Sequence, residues 1–326
     1  GSLTVAVQDF WQRWPKGFDW DGTRLHVNLL PTQPGPDFGQ RLPHYLLFNL
    51  CEGKYRFKWG MSFTERFTLQ FNAGDSTREA LFADTNKPIV AVVPAAWYAQ
   101  TAALGRVAVP LGKQFAVWDK WVLDAFNANL RVKERDREYG FLNYGDWYGE
   151  RGRNWGNNEY DYPHGLFQAF LRTGNRDYYR WALVAARHQA DVDTIHAYPD
   201  GFYVGGQAPH SVGHTGAWTE TTDRGSWQQR YDLMYTASNG HNWAEGLVEA
   251  WCLAGDAGVM QSALQYGEHV AWAMSPSFQS LGTHERSAGW SLKAIMGLYR
   301  QTYDPEYLAA GRRIAAVALK EQKFDQ

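Results

Sequence analysis

The sequence predicts an α+β chain: an N-terminal antiparallel β-sandwich portion over residues 1 to about 110, then an incomplete α/α toroid of helical hairpins over 111–326. Three observations predict it. Short apolar or alternating segments, parted by Pro, Gly and Asp clusters, fill the first third. Near residue 113 the apolar period becomes helical. In the second half a degenerate ten-residue block then recurs.

Residues 25–30, 45–50, 55–59 and 63–71 read as strands. The clusters at 31–36 and 72–75 separate them, and Gly53 suits a hairpin turn. Residues 114–130 read as a helix, with Phe115, Val117, Trp118, Trp121, Val122, Ala125 and Phe126 on its apolar stripe. The recurring blocks are 166–175, 247–256 and 295–304, at offsets of 81 and 48 residues. Each is read as the end of one helix, a short turn and the start of the next. Asn175, Asp256 and Asp304 suit N-caps, because a short side-chain oxygen can accept from the first free amides. Gly174 and Gly255 suit left-handed helix ends. Second helices follow over 177–192, 258–274 and 306–320. The longer offset reflects a Gly- and His-rich insertion at about 197–230. Its content and the 48-residue period favour a toroid over a tetratricopeptide-like solenoid. A six-hairpin ring needs twelve helices and about seven are counted, which implies a partial ring or an excerpt of a longer protein.

Composition narrows the function. Net charge is −2, so no global basic field attracts nucleic acid or a membrane surface. No segment has the length and apolarity of a membrane span, and no signal peptide is visible. Cys51 and Cys252 form no disulfide framework or zinc spacing. Aromatics are abundant, at 16 Trp, 18 Tyr and 17 Phe, and many adjoin Gly, Asn, Asp or Arg rather than apolar runs. Aromatic faces beside hydrogen-bonding groups suit sugars, which stack through C–H faces and bond through hydroxyls; core packing is the alternative role for each ring.

Three hairpin entries concentrate polar groups. One runs from Tyr144 to His164 and holds Asp146, Trp147, Arg151, Arg153, Trp155, Glu159, Tyr160 and Asp161. The second holds His241, Asn242, Trp243 and Glu245, and the third His284 and Arg286. In an α/α ring such entries share one end, so they converge on one mouth. The insertion adds His210 and His214, an acid and base pair or else metal ligands with His188, Asp191, Asp193 and His196. Gly205–Gly206 lacks the Lys and Ser/Thr of a phosphate loop.

The blocks Gly145-Asp146-Trp147, Arg153 to Asp161 with Pro163-His164, Arg187-His188 with Asp191 and Asp193, and His241 to Gly246 resemble the exo-rhamnogalacturonan lyase / YetA-like family (polysaccharide lyase family 26). The resemblance runs from about residue 4 to the C-terminus. It implies a central β-sandwich with part of a toroid, an acidic polysaccharide or oligosaccharide as partner, and a secreted or cell-envelope location.

A uronic-acid lyase must neutralise the substrate carboxylate before the adjacent carbon acid can ionise, and then needs a base and an acid. Arg151, Arg153, Asn242 and Arg286 are candidate neutralisers, and a divalent cation such as calcium is a further candidate. His210, His214, His241 and Tyr160 are candidate bases and acids, and Trp155 and Trp243 candidate stacking platforms. Two other readings stand beside it. A glycoside hydrolase would draw a carboxylate pair from Glu159, Asp161, Glu245 and Glu285, with Asp161 and Glu245 the better-placed pair. A non-catalytic sugar-binding protein would need only the mouth.

Overall fold

The structure is a computed structural model that describes residues 1–32, 60–72, 74, 77–87, 89–110, 112–147, 158–207, 239–273 and 285–322. The class is α+β, and mostly helical. Among the described residues the β structure is two small antiparallel ribbons. In one, β1 (Leu3–Val7) pairs with β4 (Phe67–Phe71), with Val5 opposite Leu69. In the other, β2 (Gly17–Trp20) pairs with β3 (Leu25–Asn28). The strands expected at 25–30 and 63–71 are therefore present but shorter, and those expected at 45–50 and 55–59 lie outside the described residues.

Residues 78–101 correct the expectation of β structure up to 110. They hold two helices, α1 (Arg78–Asn86) and α2 (Ala95–Thr101). Helix α1 covers the β1–β4 ribbon, burying Leu81. Helix α2 turns Tyr98 into the main helical core, which Val107 also joins.

The long helix α3 (Ala116–Asp136) extends six residues past its expected end and stops at Arg137, in the left-handed region at φ 57°. Three hairpins follow: α4 (Tyr162–Thr173) with α5 (Arg176–His188), α6 (Glu245–Ala254) with α7 (Ala257–Ala273), and α8 (Glu285–Thr302) with α9 (Pro305–Glu321). Their first helices are neighbours, α4 against α6 and α6 against α8. The repeat positions Leu166, Leu247 and Ile295 all enter one core, with Phe167, Phe170, Tyr266 and Leu298. Burial of each large side chain contributes about 1.5–3 kcal/mol.

The turns form as the caps predict. Asn175 Oδ1 accepts from Asp177 N at 3.0 Å, and Asp304 Oδ1 from Glu306 N at 2.8 Å. The Asp256 carboxylate reaches Val259 N at 3.5 Å and also holds Arg66 and Arg187, at 2.7 and 2.8 Å. Burial of that carboxylate favours its neutral form, but the two guanidiniums win and hold it below the usual range. It thereby joins the segment before β4 to two hairpins. Gly174 and Gly255 adopt φ of 71° and 67°, and in the third turn Tyr303 does the same at 57°.

Helix α5 ends in a π turn, Gln189–Asp193. It sends Asp191 toward Ser62 and Thr64, whose hydroxyls approach to 3.2 and 2.9 Å, while Asp193 turns inward to His188 at 3.5 Å. Gly145 packs against the same helix. Its φ is +111°, and a Cβ there would lie 2.5 Å from Val184 O and 2.6 Å from His188 Cβ. Replacing Gly145 with Ala should therefore cost about 2 kcal/mol or more, through strain and overlap together. A urea titration of the two proteins would show it as a lowered midpoint, and an unchanged midpoint would refute this packing.

Candidate functional site

The turn before α4 decides which groups face out. Asn158, Tyr160 and Asp161 all have positive φ, at 51°, 62° and 60°. None is glycine, so each costs of order 1–3 kcal/mol and must be held by its surroundings. Asn158 and Asp161 provide the hold. Asn158 N donates to Asp146 Oδ1 at 3.1 Å, and its side-chain amide donates to Ala185 O at 3.0 Å. Asp161 Oδ1 accepts from Gly246 N at 3.2 Å. With both flanks anchored inward, Tyr160 is exposed, while Glu159 between them stays buried beside it.

Two further chain segments meet them. His241 sits on a short 3₁₀ turn (Asn239–His241) just before α6, and Arg286 on the first turn of α8. Arg286 Nη2 donates to Glu159 Oε1 at 3.2 Å and to Tyr160 Oη at 3.3 Å, and Nη1 lies 3.3 Å from His241 Nε2. His241 Nδ1 is 3.5 Å from Glu159 Oε1. The Arg286 guanidinium also lies over the Tyr160 ring, 5.8 Å from its centroid. One imidazole, one carboxylate, one phenol and one guanidinium thus share a single cluster.

Beneath it lies a second charge network. Lys293 Nζ is 2.7 Å from Glu245 Oε2 and 4.0 Å from Asp161 Oδ2, so the Asp161 and Glu245 carboxylates do come together, but across an ammonium. Arg300 donates to Glu245 Oε1 at 3.0 Å. His164 Nδ1 is 2.9 Å from Glu249 Oε2, and Gln168 donates to the other Glu249 oxygen at 2.7 Å. Burial pushes the Asp161 and Glu249 carboxyls up, Glu249 to about 7; the pairing with His164 pulls the other way without reversing it. A third network surrounds Asp146. Its carboxylate accepts from Trp147 N at 2.7 Å, and its carbonyl from the buried Lys133, which also reaches Glu138 at 3.1 Å. Burial holds the Asp146 carboxyl well above the usual carboxylate range.

Several expected site residues are corrected by these positions. Trp243 is 2% exposed, edge-on to Trp290 at 5.8 Å, so its faces are packed by protein rather than offered to a sugar. Asn242 is fully buried, its amide within 3.1 and 3.0 Å of the Gln207 and His241 carbonyls, and it fixes the loop instead of neutralising a ligand. Asp146 and Asp161 are likewise buried anchors. Glu245 is occupied by Lys293 and Arg300, and Trp147 packs near Tyr162, ring centroids 6.1 Å apart. His210, His214, Arg151, Arg153, Trp155 and His284 lie outside the described residues. Of His188, Asp191, Asp193 and His196, the first and third meet at 3.5 Å, but Asp191 turns to Ser62 and Thr64 and His196 bonds to Gln265 and Ala190 O, each at 2.7 Å. Among the described residues no three His, Cys, Asp or Glu are grouped as metal ligands.

Two residues escaped the sequence reading. Half-buried Trp290 lies 6.2 Å from the Tyr160 ring, and Lys293 lies over Trp290 at 5.2 Å. With Arg286 they form an i, i+4, i+7 stripe on α8, a periodicity that could have revealed them.

No family model matches the chain. The chain is similar to a Bacillus subtilis (strain 168) protein named "Uncharacterized protein YetA", at 32% identity over 146 residues. The similarity covers 40% of this chain and 16% of that protein, so the chain spans a small part of its relative's length.

The His164–Glu249 pair makes stability depend on pH. Burial alone would lower the His164 imidazole, but the hydrogen bond and charge of Glu249, with Asp161 and Glu245 behind, push it up to about 9 from 6.5. A raised folded-state value stabilises fully below the unfolded value and is lost as pH rises through the folded one. Replacing His164 with Asn should cost about 1 kcal/mol near pH 8, where Glu249 is charged, and progressively less toward pH 10. Urea unfolding of both proteins across that range checks it, and a pH-independent difference would contradict it.

Proposed function

We propose that this chain is part of a carbohydrate-active enzyme, a polysaccharide lyase that cleaves a uronic-acid-containing, rhamnogalacturonan-like polymer by β-elimination. The observation that carries the reading is the convergence of His241, Tyr160 and Arg286 on Glu159 from separate chain segments. These are the three group types that β-elimination needs. Arg286 pairs with the uronate carboxylate and spreads the charge that develops as the neighbouring carbon loses its proton. His241 takes that proton, and its electron pair forms the new C=C bond. The C–O bond to the leaving sugar breaks, and Tyr160 gives its proton to the departing oxygen. Trp290 offers a partly open ring beside Tyr160 for stacking a sugar face.

The sequence motifs that resemble the lyase family support the same reading, and a secreted or envelope location would follow from such a substrate. Among the described residues no helix is long and apolar enough to cross a membrane. The hydrolase reading has less support. Its best pair, Asp161 and Glu245, is bridged by Lys293 and tied to Gly246 N and Arg300, which leaves little room for a glycosidic bond between the carboxylates.

The test is product analysis with rhamnogalacturonan and related uronic-acid polymers, with and without chelator. Unsaturated, ultraviolet-absorbing ends are expected, and His241→Ala should lower their rate by about 10²–10⁴-fold. Saturated reducing ends would sink the lyase reading and turn attention to the carboxylates. Binding without any product would make the chain a sugar-binding module.

A further inference from the structure

His241 stands between two groups of opposite demand. A guanidinium carries only donors, so the nitrogen facing Arg286 Nη1 at 3.3 Å must accept. That nitrogen is Nε2, which leaves the proton on Nδ1, toward Glu159 Oε1 at 3.5 Å. The lone pair a base would use is therefore covered by Arg286. The other end of the same guanidinium is spent on Glu159 Oε1 and Tyr160 Oη. A bidentate grip on a uronate by the Nη1–Nη2 edge and the covering of His241 compete for the same face of the guanidinium.

Resting on the lyase reading above, we propose that Arg286 is a substrate-operated gate on His241: a uronate carboxylate draws the guanidinium away and so uncovers Nε2, whereas a neutral sugar leaves the base covered. The energetics favour the exchange. A carboxylate can take two parallel, charge-assisted bonds from the guanidinium, while the imidazole nitrogen is a single neutral acceptor. The Arg286 side chain is 39% exposed, so it is open to an incoming anion. Glu159 is then a positioning residue. It keeps the proton on Nδ1 while Arg286 leaves, and it faces the imidazolium that forms when Nε2 takes the carbon-bound proton. Afterwards His241 passes its proton to solvent, and Tyr160 regains one from solvent.

Imidazole ¹⁵N NMR of the full chain tests this, with the His241 signals among the ten histidines assigned by their loss in His241→Gln. The resting protein should show His241 as the Nδ1–H tautomer. Digalacturonate should shift the Nε2 resonance, the neutral digalactose should not, and Arg286→Lys should abolish the response. Glu159→Gln should mix the tautomers and lower kcat by about 10–100-fold with KM little changed. A resting Nε2–H tautomer, an Nε2 signal that digalacturonate leaves unmoved, or an equal response to digalactose overturns the gate, even where unsaturated products form. Absence of such products with the NMR response intact would sink the lyase reading alone.

Discussion

A carboxylate withdrawn from water has to take its partners with it, and Asp161 is where the fold meets that requirement. The side chain is almost wholly buried at the entry to α4. Its partners come from elsewhere: the amide of Gly246 on α6 and, farther off, the ammonium of Lys293 on α8. One buried acid therefore brings together the first helices of three hairpins. It also dictates sequence nearby, because a Cβ at position 246 would lie 2.8 Å from Asp161 Oδ1 and 2.6 Å from His164 N. Apolar burial is non-directional, and the bond from Gly246 N to Asp161 Oδ1 adds a directional constraint on how α4 and α6 meet.

The cluster of His241, Glu159, Tyr160 and Arg286 depends on this anchoring. Glu159 and Tyr160 occupy a turn with three left-handed, non-glycine residues, a conformation that persists only when its flanks are fixed. The flanks are Asn158 and Asp161. The buried anchors Asn158 and Asp161 thus bracket Glu159 and Tyr160, and of the four only Tyr160 is exposed.

That bracketing bears on what could be read from the sequence and what could not. The hairpins were legible because period and punctuation agree: Leu166, Leu247 and Ile295 repeat in the core, and Asn175, Asp256 and Asp304 cap as their chemistry suggests. Helices α1 and α2 were not, because short helices whose faces are mostly exposed leave too few apolar matches to outvote their strand-like neighbours. At the site, His241, Tyr160, Glu159 and Arg286 were recognisable as reactive residue types at helix entries. Which of them point outward was not, since the left-handed turn obeys neither helical nor strand alternation, and Asp146, Asn242 and Trp243 turn inward. Trp290 and Lys293 were hidden because they lie inside a helix rather than at its entry.

One small clasp has a wider consequence. Gln207 accepts from Trp243 N and donates to Trp243 O, both at 3.1 Å, although the two residues are 36 positions apart. Gln189, from the π turn, joins the same carbonyl at 2.8 Å. The fold thus holds Gln207 and Trp243 side by side through core residues alone. The cost of closing a flexible connection grows only with the logarithm of its length, about 0.6 kcal/mol per doubling. A connection of any length that starts and ends at this clasp therefore meets the hairpins at the same two fixed points.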